Sequence, residues 1–477
     1  MKKIQRILSL LVSAGILAGS AGCASSKTGS AGAASAASAG AAVSSAAASS
    51  AQAASPWDKY KPADLKGRTI TIAYNWQNTP ATTSEKLDPK TVTKGQLEAL
   101  DNMKRIEKKY NCKIKYISIP YDQLYKKFTA SVIAGSPCAD LIKLYPAMII
   151  NGAKANLIQD LESVFPKNAD IINDQQILYP VKYLGKTYVM RTYDKGTIGG
   201  GIGFNRDLIK KLGVEAPDAL YEKGEWNWDN FLKIAKAATQ DTDGDGKMDQ
   251  WGVGGMPYNI ANSLICSNGG YLFDGTTPET GLSSPKTVEA FNFLNKLYNV
   301  EKVAYLKNPK GGWWDDGTGD TFKNGNIAMF YTELYMIPTD PKLKFQVGFV
   351  PTPKGPSDTE GKTWMTSLGG VIIPKGVSDP TAVYQIYEEL SSSWGSDYKK
   401  RDKGAKESRE KAFPTEEDVS RYLDMYDTIK SDYASAIEDS TANAVVDAII
   451  QKGEPVAQAI QQNKQQSQAK IDAFLKK

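Results

Sequence analysis

Apolar residues recur at helical spacing in TKGQLEALDNMKRIEKKY: Leu97, Leu100, Met103, Ile106 and Tyr110 share one face of an amphipathic helix. The earlier run RTITIAYNW is dense in β-branched residues and predicts a strand ending in a loop. CKIKYISI predicts a second strand, YDQLYKKFTASVIAG a helix closed by Gly135, ADLIKLY a third strand, and AMIINGAKANLIQDL a helix or turn. Strand, helix, strand, helix, strand at this spacing implies a parallel sheet with helices on both faces. In such sheets ligands sit beyond the carboxyl ends of the strands, where Trp76, Leu144 and Tyr145 fall.

The next block changes character. YPVKYLGKTYVMRTYDKGTIGGGIGFNRDLIKKLGVEAP predicts extended segments, a short helix and a proline stop. WNWDNFLKIAKAAT predicts a helix with Asn227 at its N-cap and a buried stripe of Trp228, Phe231, Leu232 and Ala235. SPKTVEAFNFLNKLYNVEK is a helix, DTFKNGNIAMFY a helix leading to a strand, and KFQVGFVPTPKGP a strand running into a Pro/Gly-rich segment. LGGVIIPKG is a strand, DPTAVYQIYEELSSSW a helix, and the tail from Glu416 to Lys477 is helical with a break at KGEP. Trp228 and Trp251 have the spacing of core anchors.

The amino terminus stands apart from these elements. MKKIQR followed by ILSLLVSAGILAG is a basic segment and a short apolar run, the pattern of an export signal, too short to span a bilayer. SAGCASS follows, so residues 1–22 read as a signal peptide, with Cys23 the lipidated first residue. This resembles bacterial lipoproteins, although Ser20 stands where they usually have leucine; a cleaved secretory peptide without lipid is the other reading. Residues 23–54, rich in Ala, Ser and Gly, cannot build a core and predict a disordered tether. The expected location is therefore the extracellular face of the cell membrane, held there by lipid.

Composition narrows the chemistry. Of 477 residues 41% are hydrophobic and 23% charged, an ordinary globular mix long enough for two domains. Without Lys2, Lys3 and Arg6 of the signal, the net charge falls from +5 to +2, which argues against a nucleic-acid surface. The chain has no histidine, which excludes a Ser–His–Asp triad, a Cys–His pair and histidine-bound zinc. Cys112 and Cys138 precede strands that are not expected to be neighbours, so they and Cys266 are expected as free thiols. GTIGGGIGF does not fit the dinucleotide-binding spacing.

One ordered set of segments is specific: YLGKTYVM, GFNRDLIKKLGVEAP, WNWDNFLKIAKAATQDTDGDGKMDQWG, FKNGNIAMFYTELY, VGFVPTPKGP and LGGVIIPKG. From about Leu65 to Lys477 the chain resembles the extracellular solute-binding proteins (family 1, maltose-binding type) of carbohydrate ABC transporters. The resemblance implies an α/β, periplasmic-binding-protein-like type II fold: two α/β lobes with a ligand cleft and a multi-strand hinge. It implies lobe 1 at residues 55–189 and 353–410 and lobe 2 at residues 190–352 and 411–477. Chain crossings would fall near Tyr188–Arg191, Val350–Pro353 and Ala405–Pro414. It further implies a non-enzymatic monomer that captures a carbohydrate, an oligosaccharide by expectation, and delivers it to permease subunits.

Sugars present an apolar C–H face and a rim of hydroxyls, which aromatic rings and polar side chains can hold. Candidate ligand-binding residues are Trp76, Tyr145, Tyr193, Asp194, Tyr258, Asn259, Trp313, Trp314, Glu333, Tyr335 and Trp364. Tyr335 falls where the resemblance places a sugar-stacking tryptophan, and Tyr258 and Asn259 fall on another of its contact loops. Tyr145 is offset by one residue from the family's aromatic position, which falls on Leu144. Trp364 precedes a glycine pair where backbone could approach a ligand closely. Core packing competes with each aromatic assignment, and solvation with Asp194 and Glu333.

DTDGDGKMDQWG (241–252) has the spacing of a calcium loop: Asp241, Asp243, Asp245, the backbone of Lys247 and Asp249 take the first five ligand positions. Gly252 stands where an EF-hand has its bidentate Glu, and Gln250 is the substitute the resemblance offers. The loop reads either as a calcium clip or as a metal-free turn. No cofactor is required; structural calcium is the one ion implied. Two other function classes remain open: a surface carbohydrate-active enzyme using a carboxylate pair such as Asp315 and Asp316, and a binding protein of the same fold for a polyol or peptide.

Overall fold

The computed structural model describes residues 59–75, 94–173, 178–183, 185–192, 201–275, 277–306, 318–332, 343–361, 363–365, 369–391, 403, 413, 415–426, 428–431, 433–437 and 439–476. All of these lie in one compact unit, 54–477. Among the described residues no helix is long and apolar enough to cross a membrane. The signal peptide, the tether and Cys23 lie outside them.

The first sheet is built from β1 (Arg68–Tyr74), β2 (Cys112–Ser118), β3 (Leu141–Leu144), β4 (Leu178–Tyr183), β5 (Lys186–Thr192) and β11 (Gly370–Ile372), in the order β2-β1-β3-β11-β5-β4. β1 pairs parallel with β2, from Arg68↔Cys112 to Tyr74↔Ser118, and parallel with β3. β11 lies antiparallel between β3 and β5, with Gly370 opposite Leu144 and Val371 opposite Met190. β1 separates the strands that follow Cys112 and Cys138, and Cys112, Cys138 and Cys266 are all free thiols, as expected.

Helices cover both faces of this sheet. On one face Leu100, Met103, Ile106 and Tyr110 of α1 (Lys94–Tyr110) pack with Ile70, Ile72 and Ile114. Leu97, assigned to the same stripe, is instead exposed near the helix start. On the other face lie α2 (Tyr121–Ile133), ended by Gly135 at φ +71°, and α3 (Pro146–Lys154), packed on Ile142, Leu144 and Val189.

The second sheet contains β6 (Gly201–Asn205), β7 (Trp251–Gly255), β8 (Ile327–Thr332) and β9 (Val347–Pro351), in the order β7-β8-β6-β9. β7 and β8 are parallel, and β6 runs against β8 and β9. Over one face lie α4 (Trp228–Ala238), α5 (Pro257–Ser267) and α6 (Pro285–Asn295). Asn227 caps α4 by accepting the N–H of Asn230 at 3.0 Å. Trp228 stacks on Phe293 with centroids 4.4 Å apart, and Trp251 tilts against Tyr305 at 5.6 Å, so both tryptophans are structural, as their spacing predicts.

The chain then returns to the first lobe, adding β11 and α7 (Pro380–Ser391). The tail helices α8 (Glu416–Tyr426), α9 (Thr441–Lys452) and α10 (Val456–Leu475) pack on second-sheet cores: Tyr422 with Phe349, and Val445, Ile449 and Ile460 with the α4–α6 layer. β10 (Thr363–Met365) and β12 (Ile429–Ser431) form a separate parallel pair.

The first described residues are fastened to α7. Lys59 Nζ reaches Asp170 at 2.5 Å and Glu388 at 2.6 Å, and the Tyr60 hydroxyl donates to Glu388 at 2.7 Å. Tyr384 also donates to Glu388, which is 3% exposed and accepts the Asp170 N–H at 3.1 Å. Burial and the Glu388 charge push the Tyr60 phenol far above its ordinary range. Removing the buried, multiply hydrogen-bonded partner of an ion pair typically costs about 3–5 kcal/mol. Glu388→Ala should therefore lower stability by about that amount in denaturant titration. An unchanged midpoint would contradict this role for Glu388.

Candidate functional site

The carboxyl ends of the parallel strands in the first sheet gather three polar or aromatic residues. Asn75 follows β1, Tyr121 follows β2 by way of Ile119 and Pro120, and Tyr145 follows β3 directly. Pro120 and Tyr145 take the N-cap positions of α2 and α3, and Pro146 starts α3 because a first-turn residue needs no N–H partner. The Tyr145 hydroxyl donates to Asn75 Oδ1 at 2.9 Å. The Tyr145 and Tyr121 rings meet edge to face, with centroids 5.0 Å apart and planes at 76°. Burial pushes the Tyr145 phenol upward, although its bond to Asn75 acts in the opposite direction. Tyr145 was expected at this edge; Asn75 and Tyr121 were missed. The available signal was positional, since each lies within three residues of a predicted strand's carboxyl end.

The chain leaves and re-enters the first sheet at this same edge. β5 ends at Thr192 beside the start of β11, because Met190 pairs with Val371. The second sheet has a matching edge, formed by Gly255, Thr332 and Pro351 at the ends of β7, β8 and β9 and by Gly201 at the start of β6. The outgoing link runs from Thr192 to Gly201, a span that extended chain limits to about 30 Å. The carboxyl-end edges of the two sheets are thus tethered to each other, and a cleft between them is the natural ligand position.

The returning link starts later than the family-based boundary at residue 353. Past Pro351 the chain is stitched to the second lobe: Trp226 Nε1 donates to the Pro351 carbonyl, Lys354 exchanges backbone bonds with Trp226 and Trp228, and the Gly355 N–H bonds to Ser267. Ser357 continues this, bonding through its N–H to Asn268 and through its hydroxyl to Glu289. On the other side, β5 stays in the first sheet through Thr192, two residues beyond Met190.

On the second edge, Met256 caps α5, Pro257 starts it, and Tyr258 and Asn259 occupy its first turn. Tyr258 is half-buried against the core and Asn259 is buried, 9% exposed. Both expected residues therefore lie just past the carboxyl end of β7. Trp76, Tyr193, Asp194, Trp313, Trp314, Glu333 and Tyr335 lie outside the described residues, as do Asp315 and Asp316. Trp364 is described by its backbone alone, in β10 opposite Lys430.

The glycine pair after Trp364 has a packing role. A Cβ on Gly370 would lie 2.5 Å from Val189 Cγ1 and 2.8 Å from the Met190 carbonyl oxygen. The missing side chain therefore lets β11 lie against β5. Arg191, 6% exposed, donates from Nη1 to the Gly369 carbonyl at 3.2 Å and so ties outgoing chain to incoming chain.

The aspartate loop lies at the far end of α4. Asp241, Asp243 and Asp249 bring carboxylate oxygens within 4.8 Å of one another, an all-oxygen set suited to a hard cation. The loop also bonds to itself. Asp241 accepts the N–H groups of Gly244 at 2.7 Å and Gly246 at 2.8 Å, and Asp249 accepts the Thr242 hydroxyl at 2.8 Å. The Gly246 N–H above all holds the Asp241 carboxyl below the usual carboxylate range. Asp245 accepts the Lys247 N–H at 2.8 Å and is not among the three gathered carboxylates. Gln250 is buried, and its amide nitrogen donates to the Ala238 carbonyl at 2.8 Å, which ties the loop to the end of α4.

Two α/β sheets linked at their strand ends by chain crossings make a two-lobed protein. Residues 91–393 match the family model for bacterial extracellular solute-binding proteins, more than half of the chain, and the protein belongs to that family. Its members bind solutes without transforming them. Among curated proteins nothing matches. An ABC substrate-binding protein from Listeria monocytogenes in complex with cycloalternan is 20% identical, with a TM-score of 0.58 over 85% of this chain and 99% of that one. A cyclo/maltodextrin-binding protein complexed with maltotetraose is 18% identical, with a TM-score of 0.60 over 84% and 97%. A solute-binding protein from Agrobacterium radiobacter K84 in complex with ribitol is 17% identical, with a TM-score of 0.58 over 86% and 100%. At these identities the likeness is one of fold, and the fold is the periplasmic-binding-protein-like type II arrangement.

Arg191→Met removes a charged donor from a buried carbonyl, a class of bond whose net worth is about 1.5–3 kcal/mol. The variant should lose roughly that much stability in denaturant titration. A wild-type midpoint would remove Arg191 as the tie between crossing segments.

Proposed function

We propose that this protein captures a carbohydrate, an oligosaccharide in particular, between its two lobes and delivers it to the permease of an ABC importer. The observation that carries this reading is the pair of strand-end edges joined by the Thr192–Gly201 link, each with tyrosine and amide side chains: Asn75, Tyr121 and Tyr145 on the first, Tyr258 and Asn259 on the second. Rings supply apolar faces and amides supply donors and acceptors, the two kinds of surface that a sugar presents. Closing the lobes lets both edges contact one ligand, and the ligand selects the closed state through the contacts added there. A lipid on Cys23 with the tether of residues 23–54 would hold the monomer near its permease at the outer membrane face. Trp76, Tyr193, Asp194, Trp313, Trp314, Glu333, Tyr335 and Trp364 remain proposed contacts.

A ligand that binds only the folded protein stabilises it by about 2.7 kcal/mol at a hundredfold excess over Kd. Thermal-shift and calorimetric screening with maltotriose, maltotetraose, mannotriose, ribitol and short peptides should show oligosaccharide raising the melting temperature, with the sugar recovered unaltered. A shift with ribitol or peptide alone would replace the sugar assignment, and hydrolysed sugar would replace the binding role.

We further propose that Asp241, Asp243 and Asp249, with the Lys247 backbone, hold calcium as a structural clip on the second lobe; three carboxylates within 4.8 Å support this. Asp245 and Gln250 would have to reorient to join them. Millimolar calcium should raise the melting temperature, and Asp241→Ala should abolish the rise. The gain should persist above the lowered Asp241 pKa and fade as pH falls through it, since a protonated carboxyl is a poor ligand. No calcium-dependent shift would leave the loop a hydrogen-bonded turn.

A further inference from the structure

We propose that Lys59 and Asp170 become joined by an intramolecular amide bond, with Glu388 as the proton carrier, and that this bond staples the entry of the chain to the first lobe.

Three side chains far apart in the sequence meet here. Lys59 Nζ lies 2.5 Å from Asp170 Oδ1 and 2.6 Å from Glu388 Oε1, across separations of 111 and 329 residues. The Lys59, Asp170 and Glu388 side chains are 15%, 6% and 3% exposed. Their surroundings are aromatic and apolar: Tyr60, Ala169, Ile171 and Tyr384 are buried in one cluster, and the Phe165 ring packs on Tyr384 with centroids 4.9 Å apart. Each reacting group is also held in place. Asn168 donates to the Lys59 carbonyl at 2.9 Å, and the Asp170 N–H donates to Glu388 Oε2 at 3.1 Å. The hydroxyls of Tyr60 and Tyr384 both donate to Glu388, one to each oxygen.

An ammonium and a carboxylate in contact contain the atoms of one amide and one water. Glu388 Oε1 accepts a proton from the Lys59 ammonium, and the freed amine lone pair attacks the Asp170 carboxyl carbon. The new C–N bond forms as one C–O bond of Asp170 breaks. The two protons that the nitrogen gives up leave with that oxygen as water, passed on by Glu388, which ends as it began. No oxidant or reductant is consumed. The product is a neutral amide in place of an ion pair that is costly to desolvate. The fold supplies the encounter, because the two groups are already in contact. Two carboxylates are needed, one to be acylated and one to move the proton. Glu389, the next residue, is instead shared by Lys109 and Arg105 at 2.7 Å each, and a guanidinium keeps a carboxylate ionised and unreactive.

The position suits a staple. The Ala/Ser/Gly-rich residues 23–54 lead into the first lobe by way of Lys59, so pull on the amino terminus enters the fold there. Cys112, Cys138 and Cys266 are free thiols, so among the described residues no disulfide secures this end.

The test is intact mass and tryptic peptide mapping of the full chain, with wild type and variants prepared identically. Wild type should weigh one water less than its unlinked sequence. The segment holding Lys59 should be recovered joined to the segment holding Asp170, with cleavage after Lys59 lost. Lys59→Arg, Asp170→Ala and Glu388→Gln should each restore the full mass and separate segments. Asp170→Asn should still link, releasing ammonia in place of water. Wild type at full mass with separate segments overturns the proposal. So does a deficit of one water that Lys59→Arg retains, since that marks a succinimide elsewhere. A link to Glu388, or a link that Glu388→Gln still forms, overturns the role given to Glu388.

Discussion

Gly370 has no room for a side chain, and the two-lobed arrangement depends on that fact. β11 must fit between β3 and β5, antiparallel to both, and a Cβ at this position would press into Val189 and the Met190 carbonyl. β11 is delivered only after the chain has built all four strands of the second sheet, so the first sheet is completed by chain returning from the other lobe. The outgoing β5 and incoming β11 consequently lie side by side, with Arg191 bonded to the Gly369 carbonyl across them. Two adjacent segments at one edge thus carry the chain out of the first sheet and back into it.

The second lobe meets its own close-approach constraints with glycine. A Cβ on Gly252 would meet the Ala235 backbone at 2.2 Å, and one on Gly201 would meet the Phe349 ring at 2.5 Å. Glycine here brings α4 down onto β7 and lets β6 lie under an aromatic side chain of β9. Gly201, the first residue of β6, therefore has packing as its role. Beyond β9, hydrogen bonds from Trp226, Ser267 and Asn268 hold the returning strip on the second lobe as far as Ser357. The chain leaves the second lobe only after Ser357.

Local signals were legible where local physics decides. Asn227 before an apolar periodic run is an N-cap because its side chain can accept an N–H from three residues on, and it does. Leu100, Met103, Ile106 and Tyr110 lie on the buried face of α1, whereas Leu97, one turn earlier, is exposed. The site was legible in part. The strand-end position of Tyr145 was legible because it follows a strand that the pattern reveals, whereas Tyr258 was singled out only by the resemblance, which puts it on a contact loop. Tyr121 reads only as the first residue of an amphipathic helix, and nothing nearby in sequence announces that its ring meets Tyr145, which the next strand carries in.

The sequence by itself determined the alternation of strands and helices, the caps and buried stripes, the absence of histidine chemistry and, through an ordered set of segments, the family. Each of these is a property of short stretches, fixed by side-chain period, backbone conformation or composition. Only the tertiary structure decided that Gly370 serves strand packing, that the return to the first lobe begins beyond Ser357, and that Asn75, Tyr121 and Tyr145 share one corner. Those facts depend on contacts between residues far apart in the chain, and such contacts exist only once the sheet order is set.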